Sequence, residues 1–357
     1  MTRHEIALKK LHEGTVIPAT PLALTEDHKL DEKGQRLLMN YYLDCGVGGV
    51  ATAVHTTQFE IHKPEVGMLE PVLRIVSEEI DRYERETGKV IVKVAGVCGP
   101  LEQAVKEAAL AKQYGYDAVL LSPSGLAALD EQAMLARTKA VAEVMPVIGF
   151  YLQTAAGGRV FTYDYWEQLC AIPNVVAIKC ASFNRYTTID VVRAAATSKR
   201  CDEITLYTGN DDNIVVDLLT KYRFEKDGRT VEKAFEGGLL GHWSVWTSKV
   251  VELFDAIKQE KKKDCISAEM LTLAARVTDL NAAFFDAVHG FKGCITGLHE
   301  VLRRQGLLQS IRTLDGYEEV SPEQMREIDR VYREYADLHD DAFVAAHLDE
   351  WKKRVGD

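Results

Sequence analysis

The sequence has no closely spaced cysteines, because its seven cysteines are scattered and no two of them form a CxxC pair. Structural zinc sites and thiol redox motifs depend on such pairs, and small disulfide frameworks depend on regularly spaced, even numbers of cysteines. The first apolar segment also lacks the His-x-His pair of many metal-dependent barrel hydrolases, and reads Val16-Ile17-Pro18. His55, His242 and Asp211 show no ligand spacing. We therefore expect no disulfide framework, no metal site and no cofactor.

Long apolar runs and excess positive charge are also missing. No segment approaches the length that spans a membrane, and the N-terminal stretch MTRHEIALKKLHEG lacks the apolar centre of a signal peptide. We expect a cytoplasmic protein. The formal net charge is −11, which argues against nucleic acid or an anionic membrane as partner, because binding to phosphates requires a basic surface.

Short apolar runs alternate eight times with segments of helical periodicity. Most of the runs are apolar throughout, which is typical of parallel strands covered on both faces. The predicted strands are residues 15–19, 48–54, 89–97, 117–123, 146–151, 174–179, 203–208 and 239–245. Eight such units predict a (β/α)₈ TIM barrel. A doubly wound sheet is the competitor, but it would carry a glycine-rich turn after the first strand, where this chain reads PATPLALTEDHKL.

The signals for strands end near residue 250. We predict a barrel domain over residues 1–250 and a C-terminal helical region over residues 251–357, with one helix opening at Ser321-Pro322-Glu323-Gln324. The charged stretch 224–233 is interpreted as a surface insertion before the eighth strand.

Active sites of such barrels lie at the C-terminal ends of the strands, and two chemically useful side chains end neighbouring predicted strands. Lys179 ends the sixth and Tyr151 the fifth. A neutral amine can attack a ketone to form an imine, and a nearby phenol can move the protons that this reaction requires. A lysine at a strand end usually only marks where the strand meets water, and a tyrosine there is usually a packing residue. Cys98 and Cys180, near the same ends, are interpreted as packing residues.

The turn after the second strand is the third candidate. It reads His55-Thr56-Thr57-Gln58, and its backbone N–H groups and two hydroxyls suit a carboxylate. A Thr-Thr turn alone is usually only a turn, so the prediction depends on its position at the same end of the barrel.

Taken in order, these motifs resemble the dihydrodipicolinate synthase / N-acetylneuraminate lyase family over roughly residues 12–330. The motifs that carry the resemblance are GTVIPATPL, GVGGVATAVHTT, the spacing from Tyr151 to Lys179, NVVAIKCAS and the TGND turn at 208–211. The resemblance implies a Schiff-base lyase in which Lys179 forms the imine, Tyr151 shuttles protons and Thr56 with Thr57 holds the carboxylate of a 2-oxo acid. It also implies backbone contacts to substrate near Gly209 and near Gly238 or Gly241, and a homo-oligomer, either a dimer or a tetramer.

The chain departs from the family pattern around this site. The turn after strand 2 usually reads Gly-Thr-Thr-Gly-Glu, whereas here His55 and Gln58 flank the threonines and are further candidates for substrate contact. The tyrosine expected after strand 4 is absent from residues 122–126, and the arginine motif after Tyr151 is absent, with Arg159 the nearest guanidinium. These differences argue against lysine biosynthesis.

Three functions remain open on the sequence. The first is a metal-independent lyase that uses pyruvate or a related 2-oxo acid, with an aldehyde as a possible second substrate. The second is a hydratase-aldolase for aromatic or unsaturated 2-oxo acids, for which His55, Phe59 and Trp243 would provide a flat pocket. The third is a keto-acid sensor that binds its ligand without turnover.

Overall fold

The computed structural model describes residues 1–356 and contains one eight-stranded parallel barrel with additional helices. The strands are β1 (Val16–Pro18), β2 (Gly49–Thr52), β3 (Val92–Val97), β4 (Ala118–Leu121), β5 (Val147–Leu152), β6 (Val175–Ala181), β7 (Thr205–Thr208), β8 (Lys221–Lys226) and β9 (Arg229–Leu240). The helices are α1 (Arg3–Glu13), α2 (Glu32–Asp44), α3 (Leu69–Thr87), α4 (Leu101–Gln113), α5 (Glu131–Ala142), α6 (Tyr163–Ala171), α7 (Arg185–Thr197), α8 (Ile214–Leu219), α9 (Thr247–Glu260), α10 (Ala268–Phe285), α11 (Cys294–Arg304), α12 (Pro322–Glu334) and α13 (Asp341–Arg354).

The predicted TIM barrel is confirmed. The strands pair in the order β1-β9-β7-β6-β5-β4-β3-β2, all in parallel, and a bridge between Ala19 and Ala51 joins the two ends. Apart from the first half of β9, the barrel strands are buried along nearly their whole length because helices cover the outside and side chains fill the inside. This explains why their sequences are continuously apolar rather than alternating.

The eighth barrel strand differs from the prediction. It spans Arg229–Leu240 rather than residues 239–245, and its first half extends beyond the barrel as a hairpin with β8. The stretch 224–233, interpreted as an insertion, therefore forms the end of this hairpin, and its charges follow from its exposure. The apolar residues that suggested a strand at 242–244 instead form a 3₁₀ turn, buried because Trp243 packs on Phe254 with 5.9 Å between ring centroids.

Two apolar cores lie on the two sides of the barrel wall. The inner core contains side chains such as Ile17, Val94, Ile148, Ala177 and Leu239. The outer core joins the opposite faces of the same strands to the surrounding helices. Successive residues of a strand point to opposite faces of the barrel wall. If one residue faces the barrel interior, the next one therefore faces the helices.

The C-terminal helices pack onto the barrel through buried polar contacts as well as apolar ones. The hydroxyl of Tyr41 on α2 donates to Asp340 Oδ2 at 2.8 Å, and the indole of Trp351 on α13 donates to Asp44 at 2.7 Å. Position 250, the boundary expected from the sequence, falls inside α9. None of the helices in residues 1–356 is both long and apolar enough to cross a bilayer.

Candidate functional site

A pocket opens at the C-terminal ends of the barrel strands. It encloses about 650 Å³ between its atoms, part of it open to solvent. Its polar or ionisable lining side chains are His55, Thr56, Gln153, Lys179, Asp211 and Cys294. Barrels of this kind place their active sites at this end of the strands.

Lys179 supplies the only cationic side chain of the pocket lining. It lies within β6 rather than at its tip, and the alternation of the strand turns it inward. The side chain is only 7% exposed, and its amine makes no hydrogen bond or ion pair within residues 1–356. Burial lowers the pKa of Lys179 from 10.5 to about 8, while the charge of Asp211 acts in the opposite direction. The site thus contains an amine that deprotonates much more readily than an ordinary lysine.

Tyr151 lies on the other side of the barrel wall, which corrects the expectation that it meets the amine of Lys179. Phe150 is the register partner of Lys179, whereas Tyr151 pairs with Cys180 and shares its outward direction. The Tyr151 ring packs on Trp166 and Phe161, with 5.2 and 6.1 Å between centroids, and does not line the pocket. Burial raises its pKa, against hydrogen bonding from Thr187 and the Phe161 backbone. Its surroundings are those of a packing residue.

Asp211 is an ionisable residue of the site that sequence reasoning did not select, although it ends the quoted TGND turn. It is 6% exposed and lines the pocket, and its Oδ1 accepts a hydrogen bond from the backbone N–H of His242 at 3.0 Å. Burial raises the pKa of Asp211 to about 7, while the His242 N–H and the charge of Lys179 oppose the shift. Only its burial, which the fold creates, distinguishes this carboxyl from an ordinary loop aspartate.

The four side chains of the turn after β2 do not all face the pocket. His55 and Thr56 line the pocket, whereas Thr57 and Gln58 do not. The Thr57 hydroxyl donates to the carbonyl of Thr20 at 2.7 Å, and Gln58 Oε1 accepts from the N–H of Leu314 at 2.6 Å. Both side chains therefore hold the turn in place, which corrects the expectation that they contact substrate.

His55 lies half-buried on the pocket wall, within range of the charge of Lys179. Burial, and then the charge of Lys179, lower its pKa from 6.5 to about 4, against an opposing effect of Asp315. The imidazole is consequently neutral near pH 7. Its ring also packs on Phe59, with 5.6 Å between centroids, so Phe59 lies behind His55 and outside the pocket lining.

Two predicted glycines line the pocket where side chains would not fit easily. A Cβ at Gly209 would lie 2.5 Å from Cε of Lys179, and a Cβ at Gly241 would lie 3.2 Å from the hydroxyl of Thr56. Gly209 therefore leaves the space that the Lys179 chain occupies. Gly238 would meet Trp243 and does not line the pocket, which decides between the two candidates in favour of Gly241.

An aromatic wall completes the pocket, and most of it comes from residues that sequence reasoning missed. Phe150 lies on β5, Phe183 precedes α7, and Phe285 and Phe291 come from the C-terminal helical region. The rings of Phe183 and Phe291 are in edge contact at 5.6 Å. Trp243, expected at the mouth, packs in the outer core instead.

The pocket lining contains no arginine. Arg159, the nearest candidate in the sequence, donates to the carbonyl of Leu129 and lies over the Phe161 ring, 5.2 Å from its centroid. Within residues 1–356, no three His, Cys, Asp or Glu side chains form a cluster that could hold a metal ion. An anionic ligand would therefore meet Lys179, the Thr56 hydroxyl and backbone N–H groups.

Comparisons with known proteins find relatives with the same fold. The model of the dihydrodipicolinate synthetase family matches residues 13–221. The dihydrodipicolinate synthase from Oceanobacillus iheyensis is 16% identical, with a TM-score of 0.71, over 94% of this chain and 100% of that one. The N-acetylneuraminate lyase from Mycoplasma synoviae is 16% identical, with a TM-score of 0.67, over 91% of this chain and 99% of that one. A search of curated proteins finds no match. At these identities, the solved structures show the fold alone.

Proposed function

This chain belongs to the dihydrodipicolinate synthetase family, and on that premise we propose that it is a lyase that acts on pyruvate or a related 2-oxo acid through an imine on Lys179. The amine attacks the ketone carbon, and loss of water leaves a protonated C=N bond. That bond withdraws electrons from the adjacent carbon, so a C–C bond next to it can form or break. The reaction requires no metal ion.

The observation that carries the proposal is the buried amine of Lys179. With a pKa of about 8, about a tenth of the lysine would be neutral at pH 7, whereas the neutral fraction at the ordinary pKa is below about 0.1%. Only the neutral amine is a nucleophile. Burial also leaves the ammonium form without hydrogen bonds within residues 1–356, which favours loss of its proton.

The turn at His55 and Thr56 offers a place for the carboxylate of the keto acid. The first N–H groups of a short helical turn have no partner inside it, and the Thr56 hydroxyl lies beside them on the pocket wall. Together with the Lys179 charge, these donors can hold one carboxylate without an arginine. We expect a substrate with a single carboxylate at this end.

The aromatic wall favours a second candidate within the same chemistry, a hydratase-aldolase that joins pyruvate to an aromatic or other apolar aldehyde. Phe150, Phe183, Phe285 and Phe291 would contact the aldehyde, in place of the Phe59 and Trp243 suggested by the sequence. A polyhydroxylated sugar aldehyde would leave its hydroxyls against these rings, which is unfavourable unless they are hydrogen-bonded.

Trapping with borohydride tests the proposal. The protein is incubated with pyruvate, reduced with sodium borohydride and digested, and the masses of the peptides are measured by mass spectrometry. We expect a reduced pyruvate adduct on the Lys179 peptide and none on the Lys93 peptide. Lys93 is an internal control because it is equally buried, at 2% exposure, but its amine contacts Asp81 and Ser77. Absence of adduct with pyruvate and with larger 2-oxo acids would contradict the imine mechanism.

A panel of aldehydes then separates the two candidates. Each aldehyde is supplied with pyruvate, and consumption of pyruvate is followed by chromatography. Higher kcat/KM for benzaldehyde-like compounds than for hydroxylated ones supports the hydratase-aldolase. If pyruvate forms the adduct on Lys179 but the protein neither joins it to any aldehyde nor cleaves the corresponding aldol products, the sensor function is indicated instead.

A further inference from the structure

The position of Tyr151 leaves the proposed reaction without its expected proton carrier. Formation of the imine moves protons off nitrogen and onto the departing oxygen, and a side chain near both atoms must carry them. Besides Lys179, the pocket lining contains three titratable side chains, those of His55, Asp211 and Cys294. The proton carrier must be able both to accept and to return a proton near pH 7.

We propose that Asp211, rather than Tyr151, carries the protons of imine formation and hydrolysis at Lys179. This inference rests on the proposed function, because it assigns a role within that reaction. It makes Asp211 a catalytic residue, in contact with the ketone oxygen of the bound keto acid.

The position of the Asp211 carboxyl fits this role. Asp211 follows β7, the strand that pairs with β6 such that Lys179 lies in register with Tyr207. One carboxyl oxygen, Oδ1, is held by the N–H of His242. Within residues 1–356, His242 is the only other residue that donates a hydrogen bond to this carboxyl, and the carboxyl forms no direct ion pair with Lys179. Asp211 and Lys179 line the same pocket, so a ketone bound there can contact both side chains.

The surrounding charges also favour a carboxyl that changes its protonation state. The ionisable groups near it are Lys179, Asp212, Cys294, His55 and the buried imidazole of His242. Burial raises the pKa of Asp211 and lowers that of Lys179, so the proton affinities of the two groups are closer together than those of an ordinary carboxyl and an ordinary amine. Transfer of a proton between them therefore costs less than between ordinary groups, which favours acid–base catalysis.

The other two candidates are less suitable. Burial lowers the pKa of His55 to about 4, so its imidazole is a weak base and is almost never protonated near pH 7. Burial raises the pKa of Cys294 well above its ordinary value, so its thiol keeps its proton. Neither can alternate between the two states as readily as Asp211.

Asp211 alone can carry both protons that move from the Lys179 nitrogen to the ketone oxygen during imine formation. The Lys179 ammonium first gives a proton to the Asp211 carboxylate, and the neutral amine attacks the ketone carbon while the ketone oxygen takes that proton. The nitrogen then gives a second proton to Asp211, which passes it to the hydroxyl as the C–O bond breaks and water leaves. The nitrogen lone pair forms the C=N bond. The protonated imine keeps one proton, and the Asp211 carboxylate balances its charge.

The test uses the full-length protein and pyruvate, with reduction by borohydride at successive times to measure the rate of imine formation. Asp211→Asn keeps an oxygen that can accept from the His242 N–H but cannot carry a proton. Asp212→Asn is the matched control, since this neighbouring carboxyl does not line the pocket. Circular dichroism and binding of pyruvate, measured by calorimetry, establish that each variant is folded and still holds the ligand.

We expect Asp211→Asn to slow imine formation by about 10²–10⁴-fold while pyruvate still binds, as general acid–base catalysis of this kind contributes that much. We expect two limbs in the pH profile of the wild-type protein, and Asp211→Asn should lose one of them, because a single ionisation, that of Lys179, remains. Asp211→Glu should recover part of the rate. Asp212→Asn should match the wild type.

Two results would overturn the assignment. One is an unchanged rate and an unchanged two-limbed pH profile in Asp211→Asn, and the other is a large loss in His55→Gln with none in Asp211→Asn. Either leaves the imine itself intact, because the wild-type protein still forms the adduct. If the wild type forms no adduct with any 2-oxo acid, the proposed function fails first, so the two failures are distinguishable.

Discussion

The amine of Lys179 lies against the ring of Phe150, with 4.6 Å between Nζ and the ring centroid. The two residues are register partners on β6 and β5, so both face the barrel interior. Tyr151, one position further along, faces the helices. This offset of one residue decides which side chains can take part in chemistry at the amine.

Tyr151→Phe should keep kcat/KM within about tenfold of the wild type, because the lost hydroxyl lies outside the pocket. Loss of its hydrogen bonding should lower the free energy of unfolding by about 1 kcal/mol. Steady-state kinetics and urea denaturation measure the two effects. Tyr165→Phe, in the same aromatic cluster, is the control. A fall of a hundredfold or more in Tyr151→Phe, with stability unchanged, would show that the phenol acts in the reaction.

Gly209→Ala should reduce the rate of imine trapping by about a hundredfold or more. Its Cβ would lie 2.5 Å from Cε of Lys179 and 2.9 Å from Cβ of Ala181, so the lysine chain must move, and displacement of a reacting group by about 1 Å has an effect of this size. In Gly241→Ala, the new Cβ meets Phe285 and Thr56 at 3.1 and 3.2 Å. Imine formation with pyruvate should therefore be affected less there than in Gly209→Ala. Equal rates in the two variants would contradict this view of the pocket.

Lys179→Met should abolish the pyruvate adduct and also stabilise the protein at pH 7. A lysine whose pKa is lowered in the folded state makes folding less favourable below that pKa, and the effect is reduced as pH rises toward 10.5. Removal of the buried ammonium should therefore raise the free energy of unfolding at pH 7 by about 1–3 kcal/mol. Urea denaturation at pH 7 and pH 10 tests this, and the gain should be smaller at pH 10. A Lys179→Met protein that is less stable than the wild type at pH 7 would be evidence against an unfavourable buried charge.

Acid should destabilise the protein below about pH 6.5, because three histidines whose pKa values are lowered in the folded state take up protons when the chain unfolds. Burial lowers the pKa of His55 and His299 to about 4 and that of His242 to about 3. Since these three side chains bind more protons in the unfolded chain below pH 6.5, they make stability rise with pH in the window from about 4 to 6.5, while Asp211, with a pKa of about 7, opposes them by up to one proton. Near pH 5, the slope from the three groups is up to about 4 kcal/mol per pH unit.

Substitution of His299, which does not line the pocket, should show how much one histidine contributes to the pH dependence of stability. His299→Asn should reduce the slope between pH 5 and 6 by about 1.4 kcal/mol per pH unit, as one proton fewer is taken up on unfolding. Urea denaturation across that interval measures it. An unchanged slope would mean that His299 is already protonated in the folded protein.

The barrel could be predicted from the sequence because its signal is local and repeated. Continuous apolar runs alternating with helical segments indicate parallel strands wherever they occur, and that pattern also led to Lys179 on the sixth strand. The eighth strand was misplaced because hairpin pairing with β8 allows charged residues in β9, whereas the apolar residues after it belong to a buried turn.

The details of the site could not be predicted from the sequence, because they depend on strand register and on residues that are distant along the chain. The register between β5 and β6 shifts between Val147 and Ile148, and this irregularity is not visible in the sequence. Phe285 and Phe291 reach the pocket from the C-terminal helical region, so no local pattern connects them with Lys179. The high pKa of Asp211 results from burial that only the assembled barrel creates.

A crystal structure of the protein soaked with pyruvate would show whether Lys179 forms a covalent imine with a 2-oxo acid. We expect continuous electron density from Nζ of Lys179 to the second carbon of pyruvate, with the carboxylate beside Thr56. Pyruvate bound in the pocket without a bond to Lys179, or bound only elsewhere, would contradict imine formation.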